Sequence, residues 1–180
     1  SGDNTQLTTN NQQPTIETGE QIYDKFGRPT ANLFRISQEP VAGAIILNRG
    51  TSTIVRYVDR ATGHIYDASL ATLEKIKVTN NTLPKIYEAY FRPDGNAVLL
   101  RSLKNNSDVV ENLSLALTAP QATVSTSSPQ ASTLYAVSST ALRGNISAVT
   151  VGSGNTLFYA LRDTSSIVSS AFNGASVKTL

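Results

Sequence analysis

The sequence predicts an all-β fold assembled from repeated four-stranded antiparallel units. Three observations carry that expectation. Short runs rich in Val, Ile, Leu, Tyr and Thr alternate with clusters of Gly, Asn, Asp and Pro, the pattern of strands divided by turns. Helical periodicity is nearly absent: the best stretch, Asp67 to Lys77, is short and ends in the strand-like alternation Lys75-Ile76-Lys77-Val78. Three glycines, Gly50, Gly95 and Gly154, each stand between two apolar runs and set a common register.

The chain opens with a polar stretch, residues 1–19, rich in Asn, Gln and Thr. It offers too little apolar surface to offset its ordering entropy and reads as a disordered leader, suited to a flexible end or to a membrane tether for an exported domain. Residues 20–37 follow as an N-terminal segment whose last part, Leu33-Phe34-Arg35-Ile36-Ser37, has strand character. From there the repeat begins. A first strand (A) precedes each glycine: Val41 to Leu47, Ile86 to Phe91 and Ile146 to Val151. Glycine reaches positive φ at no steric cost, as a two-residue hairpin requires, and Asp94-Gly95 is the strongest such signal. A second strand (B) follows each glycine at Thr53 to Val58, Ala97 to Leu103 and Thr156 to Leu161, apolar enough to be covered on both faces.

A third strand (C) comes next, at His64 to Asp67, Asp108 to Leu113 and Ser166 to Ser169. Ile65 and Val110 each lie 15 residues after their glycine, and Ile167 lies 13 after its own. The fourth strand (D) falls at Lys75 to Val78 in the first unit and at Ala175 to Leu180 in the third. Gly50 and Gly95 are 45 residues apart, Gly95 and Gly154 are 59 apart, so the second unit carries an insertion. The Ala, Pro, Gln, Ser and Thr tract near 118–133 is its natural place, a surface excursion between C and D, which puts the second D strand at Leu134 to Val137. The units are thus 38–79, 80–140 and 141–180.

A period near 45 residues with four strands per unit is the signature of β-propeller blades, each of which needs neighbours to bury its faces. Leu33 to Ser37, a D-type strand ahead of the first unit, suits the role of closing strand for a ring. Three blades do not complete a ring, so the remainder must come from further chain or from other copies of this one; a small sandwich of stacked sheets is the alternative architecture. The segment Phe91-Arg92-Pro93-Asp94-Gly95-Asn96-Ala97-Val98-Leu99 resembles the strand-turn-strand core of TolB-like (WD40-like) β-propeller repeats, with Arg92 where those have Ser and Asn96 where they have Lys. The other two units keep only the glycine, in Asn48-Arg49-Gly50 and Gly152-Ser153-Gly154. The resemblance spans roughly Leu33 to Leu180 and implies a non-enzymatic repeat domain, often exported, that binds protein or peptide partners.

Composition narrows the chemistry. Charged residues make up 16% of the 180 and the net charge is +2, too little for recognition of nucleic acid or an anionic membrane. Cysteine is absent, which excludes disulfides and thiolate metal sites. Methionine is absent too, so Ser1 is read as the start of a processed, tagged or trimmed product. The high Ser, Thr and Asn content and the polar leader point to an extracytoplasmic setting: periplasm, cell surface or medium.

His64 is the single histidine, and no Gly-x-Ser-x-Gly elbow accompanies it, so no catalytic residue and no metal ligand set is assigned. No cofactor is expected: Gly152-Ser153-Gly154 lacks the Gly-Lys-Ser/Thr of a phosphate loop and reads as a turn. The pair that stands out is Arg56 and Arg101, each six residues after its glycine inside an apolar strand, where the third unit has Ala160. Alternation places them on the faces of Ile54 and Leu99. A charge there must be paired or reach solvent. It is a repeated structural ion pair, a side chain snorkelling between blades, or a basic spot on the propeller's face or channel that receives an acidic partner group. Arg60, Arg92 and Arg162 lie in or near turns as rim charges. Tyr57, Tyr66, Tyr87, Tyr90 and Phe91 suit gap filling between blades, with Tyr57 and Tyr66 also candidate contact residues. The functional expectation is a non-catalytic module for protein binding, self-assembly or envelope assembly. A propeller-scaffold hydrolase with its site partly outside this chain, or a carbohydrate-binding β domain, are the alternatives.

Overall fold

A computed structural model of the chain describes Glu17–Thr18, Glu20–Tyr23 and residues 25–27, 29–104, 109–120 and 134–180. Every regular element among them is a strand. At the N-terminal end, β1 (Glu17–Thr18) is followed by β2 (Glu20–Tyr23) and β3 (Pro29–Arg35). The first unit comprises β4 (Val41–Arg49), β5 (Ser52–Asp59), β6 (Ile65–Ser69) and β7 (Glu74–Lys77). The second comprises β8 (Ile86–Phe91), β9 (Ala97–Leu103), β10 (Val110–Thr118) and β11 (Ala136–Ala141). The third comprises β12 (Ile146–Val151), β13 (Thr156–Leu161), β14 (Ile167–Ala171) and β15 (Lys178–Thr179).

In each unit A pairs with B, B with C and C with D, all antiparallel, giving three separate sheets in sequence order, here sheets I, II and III. The A and B strands of units two and three keep the limits expected from sequence, because Gly-bounded apolar runs define both ends. All three repeat glycines have positive φ, between +61° and +72°. The two-residue hairpin, however, occurs only at Gly50-Thr51, where Arg49 pairs with Ser52. Around Gly95 the loop is longer: the Arg92 amide donates to the Ala97 carbonyl and the Gly95 amide to the Arg92 carbonyl, because Pro93 enters a turn readily but has no amide for the ladder.

Sheet II is the middle layer. Strand alternation divides β9 between two cores: Val98 and Leu100 join Val58, Ile65, Val78 and Leu115 between sheets I and II. Ala97 and Leu99 join Ile146, Leu157, Tyr159 and Phe172 between sheets II and III. Each of these fully buried Leu side chains contributes about 1.5–3 kcal/mol by leaving water. The three A strands lie along one side of the stack, β4 against β8 and β8 against β12. Each A strand also carries a bulge at its start, after Val41, Ile86 and Ile146. One extra residue at the same place in three units bends each edge alike and adds local twist.

Three expectations need correction. Leu33 to Ser37 does not extend the last unit: β3 pairs with β2 in a small two-stranded sheet. The strand that does extend a unit is β1, which adds to the outer edge of β7, pairing Glu17 with Lys75. The polar leader therefore ends in strand, and its earlier residues lie outside the described set. The D strands of units two and three also shift, to Ala136–Ala141 and Lys178–Thr179, since edge strands with few buried residues carry little apolar signal. Most of the Ser, Thr and Pro tract, residues 121–133, lies outside the described residues.

Gly43 marks a close approach of sheets I and II: a Cβ there would overlap the Ala89 carbonyl oxygen. We expect Gly43→Ala to lower the unfolding free energy by about 1–3 kcal/mol, the cost of overpacking. Urea titration measures this; a loss below about 0.5 kcal/mol, the range of ordinary surface changes, would show that β4 and β8 do not meet so closely.

Candidate functional site

The site that the sequence singles out is built on the B strands. Arg56 of β5 stands directly opposite Asp67 of β6, and Arg101 of β9 directly opposite Asn112 of β10. Both pairs are 11 residues apart, so the same register recurs in two units. Arg56 is completely buried and Arg101 is 4% exposed.

Each guanidinium is satisfied at all three nitrogens. Arg56 Nε and Nη2 donate to the two carboxylate oxygens of Asp67 at 2.7 Å, a fork-to-fork pair, and Nη1 donates to the Gly95 carbonyl of sheet II at 2.9 Å. The Tyr135 ring lies 4.8 Å from its Cζ, within cation–π range. Burial by itself would lower the Arg56 pKa; the Asp67 carboxylate and Tyr135 more than offset this and hold it above the ordinary arginine value. Arg101 repeats the arrangement one layer on. Its Nε donates to Asn112 Oδ1 at 3.1 Å, Nη1 to Glu88 Oε2 at 2.6 Å, and Nη2 to the Ile146 carbonyl of sheet III at 3.0 Å. Tyr87 lies beside it, its ring centroid 5.7 Å from Cζ. In both cases the acceptor in the next sheet is a backbone carbonyl. Sheet III has Ala160 opposite Ile167 at this position.

A second cluster lies at the A–B turns. Arg92 Nε and Nη2 hold the Asp94 carboxylate at 2.8 Å, and the Asn96 amide donates to Asp94 Oδ1 at 2.9 Å. Partial burial would raise the Asp94 pKa, but these donors carry it below the usual carboxylate value. Arg92 Nη1 donates onward to Asn155 Oδ1, at 3.1 Å, in the A–B turn of sheet III. On the other side Gly95 packs on Leu47 of β4: a Cβ there would come within 2.5 Å of Leu47 Cδ1. Turn two therefore touches sheet I and is bonded to turn three.

The remaining candidates scatter. Tyr57 is 2% exposed, stacks on Tyr66 with ring centroids 5.6 Å apart, and donates to the Ile36 carbonyl on the outer face of sheet I. Lys75 Nζ sits 4.9 Å over the Tyr66 ring. Phe91 fills the first core and Tyr90 packs against the second. Arg60 and Arg162 are exposed in the B–C turns. The described residues bring together no group of three or more His, Asp and Glu side chains able to hold a metal. A cavity of about 730 Å³ opens near the base of β9 and β10, with Pro84, Lys85, Leu103, Lys104 and Leu142 in its wall. The acceptors of Arg56 and Arg101 in the next sheet lie beyond sequence reasoning, because a carbonyl is present at every residue. The 11-residue spacing to Asp67 and Asn112 is a usable signal.

The buried pair has unequal partners. Arg56→Met leaves Asp67, 18% exposed, which water can reach; Asp67→Ala leaves a cation with no access to solvent. We expect Asp67→Ala to cost about 3–5 kcal/mol in urea unfolding and Arg56→Met less, about 1–3 kcal/mol. Glu88→Gln should cost under about 1 kcal/mol, since that carboxylate is 39% exposed. The reverse order between Asp67 and Arg56 would refute the burial argument.

His64 Nε2 lies 3.2 Å from Thr82 Oγ1. Burial and then the Lys77 charge push its pKa below the ordinary 6.5, with Asp59 opposing. Protonation therefore favours the unfolded chain: this contribution is intact above about pH 6.5 and is lost as pH falls through the folded pKa. His64→Gln should flatten the slope of unfolding free energy between roughly pH 7 and 5; an unchanged slope would assign it to other groups.

No protein-family model, curated protein or solved structure matches the chain.

Proposed function

We propose that the chain is a non-catalytic β-propeller module, sheets I to III being successive blades, and that it holds a protein or peptide partner on the rim formed by its A–B turns. Three features support the propeller reading. The sheets stack in sequence order with their A strands side by side. Each A strand bears its bulge at the same place. The Pro-Asp-Gly turn of sheet II carries the resemblance to TolB-like repeats, and with it the expectation of an exported binding domain. Further blades would come from additional chain or from other copies.

The observation that carries the functional part is the joining of neighbouring turns. Arg92 spans from Asp94 to Asn155, and Leu47 supports Gly95. Turn two, bonded to turn three and resting on β4 of sheet I, makes a rigid surface, the kind of platform on which binding residues are usefully displayed. Arg56 and Arg101 supply the rigidity beneath it, since their donors are spent on the chain itself.

A photo-reactive cross-linking residue placed singly at exposed Thr51, Pro93 and Ser153 should trap the same discrete partner from the native cell extract. The same residue at exposed Arg60 and Thr164, in the B–C turns, serves as the control. Equal yields from the two sets, or no discrete species from the A–B turns, would overturn the rim as the binding surface.

A further inference from the structure

The outer edges of the sheets are not alike. At sheet I the D strand, β7, is covered by β1, so an extended antiparallel segment already completes that edge. At sheet II the D strand is β11, Ala136-Val137-Ser138-Ser139-Thr140-Ala141, and no described strand pairs with its outer side. Its register with β10 runs unbroken over six residue pairs, so the edge is straight. All its residues but Val137 are exposed.

Edge strands normally carry a device against pairing: a charge, a proline, a bulge or short length. The other described edges have one. β4 is bulged and ends in Arg49; β8 is bulged and contains Glu88; β12 is bulged. β1 and β15 are two residues long and carry Glu17 and Lys178. β2 and β3 carry Glu20 and Arg35. Among the described edges β11 alone is regular, six residues long, uncharged and free of proline.

From this we infer that β11 is a self-association edge: two copies of the chain pair antiparallel through it about a two-fold axis at Ser139, whose backbone points to the free side. Two four-stranded sheets then become one continuous sheet. A two-fold axis normal to the sheet keeps each side chain on its own face, so it sets Ser139 against Ser139 of the second copy, Ser138 against Thr140 and Val137 against Ala141. A charge near such an axis would face its own duplicate, and β11 has none. That absence is what favours a second copy as the occupant over a strand of unrelated sequence, which would not need it. The inference does not depend on whether the stack closes into a ring, because ring closure concerns the faces of the sheets and this contact uses an outer edge. A contact along one six-residue strand falls well short of the roughly 1,200–2,000 Å² buried in stable complexes, so the dimer is weak and concentration-dependent.

The test is sedimentation equilibrium on the whole chain from low micromolar to about 1 mM, the range where weak contacts register. The wild type should pass from monomer toward dimer. Ser139→Lys and Ser139→Glu, at an exposed position on the axis, should each set like charges against each other and weaken the dimer about tenfold or more, a loss of about 1.4 kcal/mol. An equimolar mixture of the two variants should regain association, since the introduced ammonium of one copy then faces the introduced carboxylate of the other; that recovery also shows that both variants fold. A wild type that stays monomeric throughout overturns the inference and leaves the edge to a strand of another protein. A dimer that persists unchanged in both single variants overturns it by placing the contact elsewhere.

Discussion

A guanidinium with no access to water, as at Arg56, must have its charge and all its donors met by the protein, and that requirement organises the stack. Removing such a charge from solvent costs several kcal/mol, recovered only when geometry and hydrogen bonding are complete. For Arg56 completeness needs two sheets: Asp67 from its own and the Gly95 carbonyl from the next. Arg101 needs two sheets as well, with Asn112 and Glu88 from its own and the Ile146 carbonyl beyond. Apolar burial sets how strongly neighbouring sheets adhere, but it is tolerant of sliding. The two arginines are directional and set where each sheet sits on its neighbour.

That division explains why the A–B hairpin of sheet II matters to both neighbours. Its turn offers Gly95 as acceptor to sheet I, seats Leu47 where a side chain would otherwise stand, and extends Arg92 to sheet III. Backbone and side chain thus carry separate tasks at one turn. Glycine is needed there twice over: for its φ of +72° and for the space that Leu47 occupies. The Asp94 carboxylate, held by Arg92 and the Asn96 amide, fixes the loop between them.

Much of this fold is legible in the sequence, and the gaps have physical causes. Strands such as Ile86–Phe91 and Thr156–Leu161 are readable because both ends are marked, by glycine turns on one side and polar clusters on the other. The limits of β11 and β15 are not, because edge strands bury little, and Ala-Val-Ser-Ser-Thr-Ala has no hydrophobic period to read. The bulges after Val41, Ile86 and Ile146 each add one residue without altering composition. The site divides in the same way. That Arg56 and Arg101 are a repeated pair follows from spacing and apolar context. That their donors end on Gly95 and Ile146 does not, because these acceptors are main-chain carbonyls and leave no mark in the residue order.

The third sheet shows what the arginine contributes by lacking it. Ala160 and Ile167 replace the polar cross-strand pair, and Ile167 is 54% exposed. Sheet III is held from behind by Arg101, which reaches its Ile146 carbonyl, yet it presents no buried cation on its own forward face. A surface packed against that face would gain apolar contact from Ile167 and Phe158 and no charge-assisted bond. Such a contact is governed by area and shape, and its register is weaker than at the two interfaces behind it. The order I to II to III is therefore polar in the structural sense: two interfaces are fixed by directed bonds, and the forward face of the third sheet is left to packing alone.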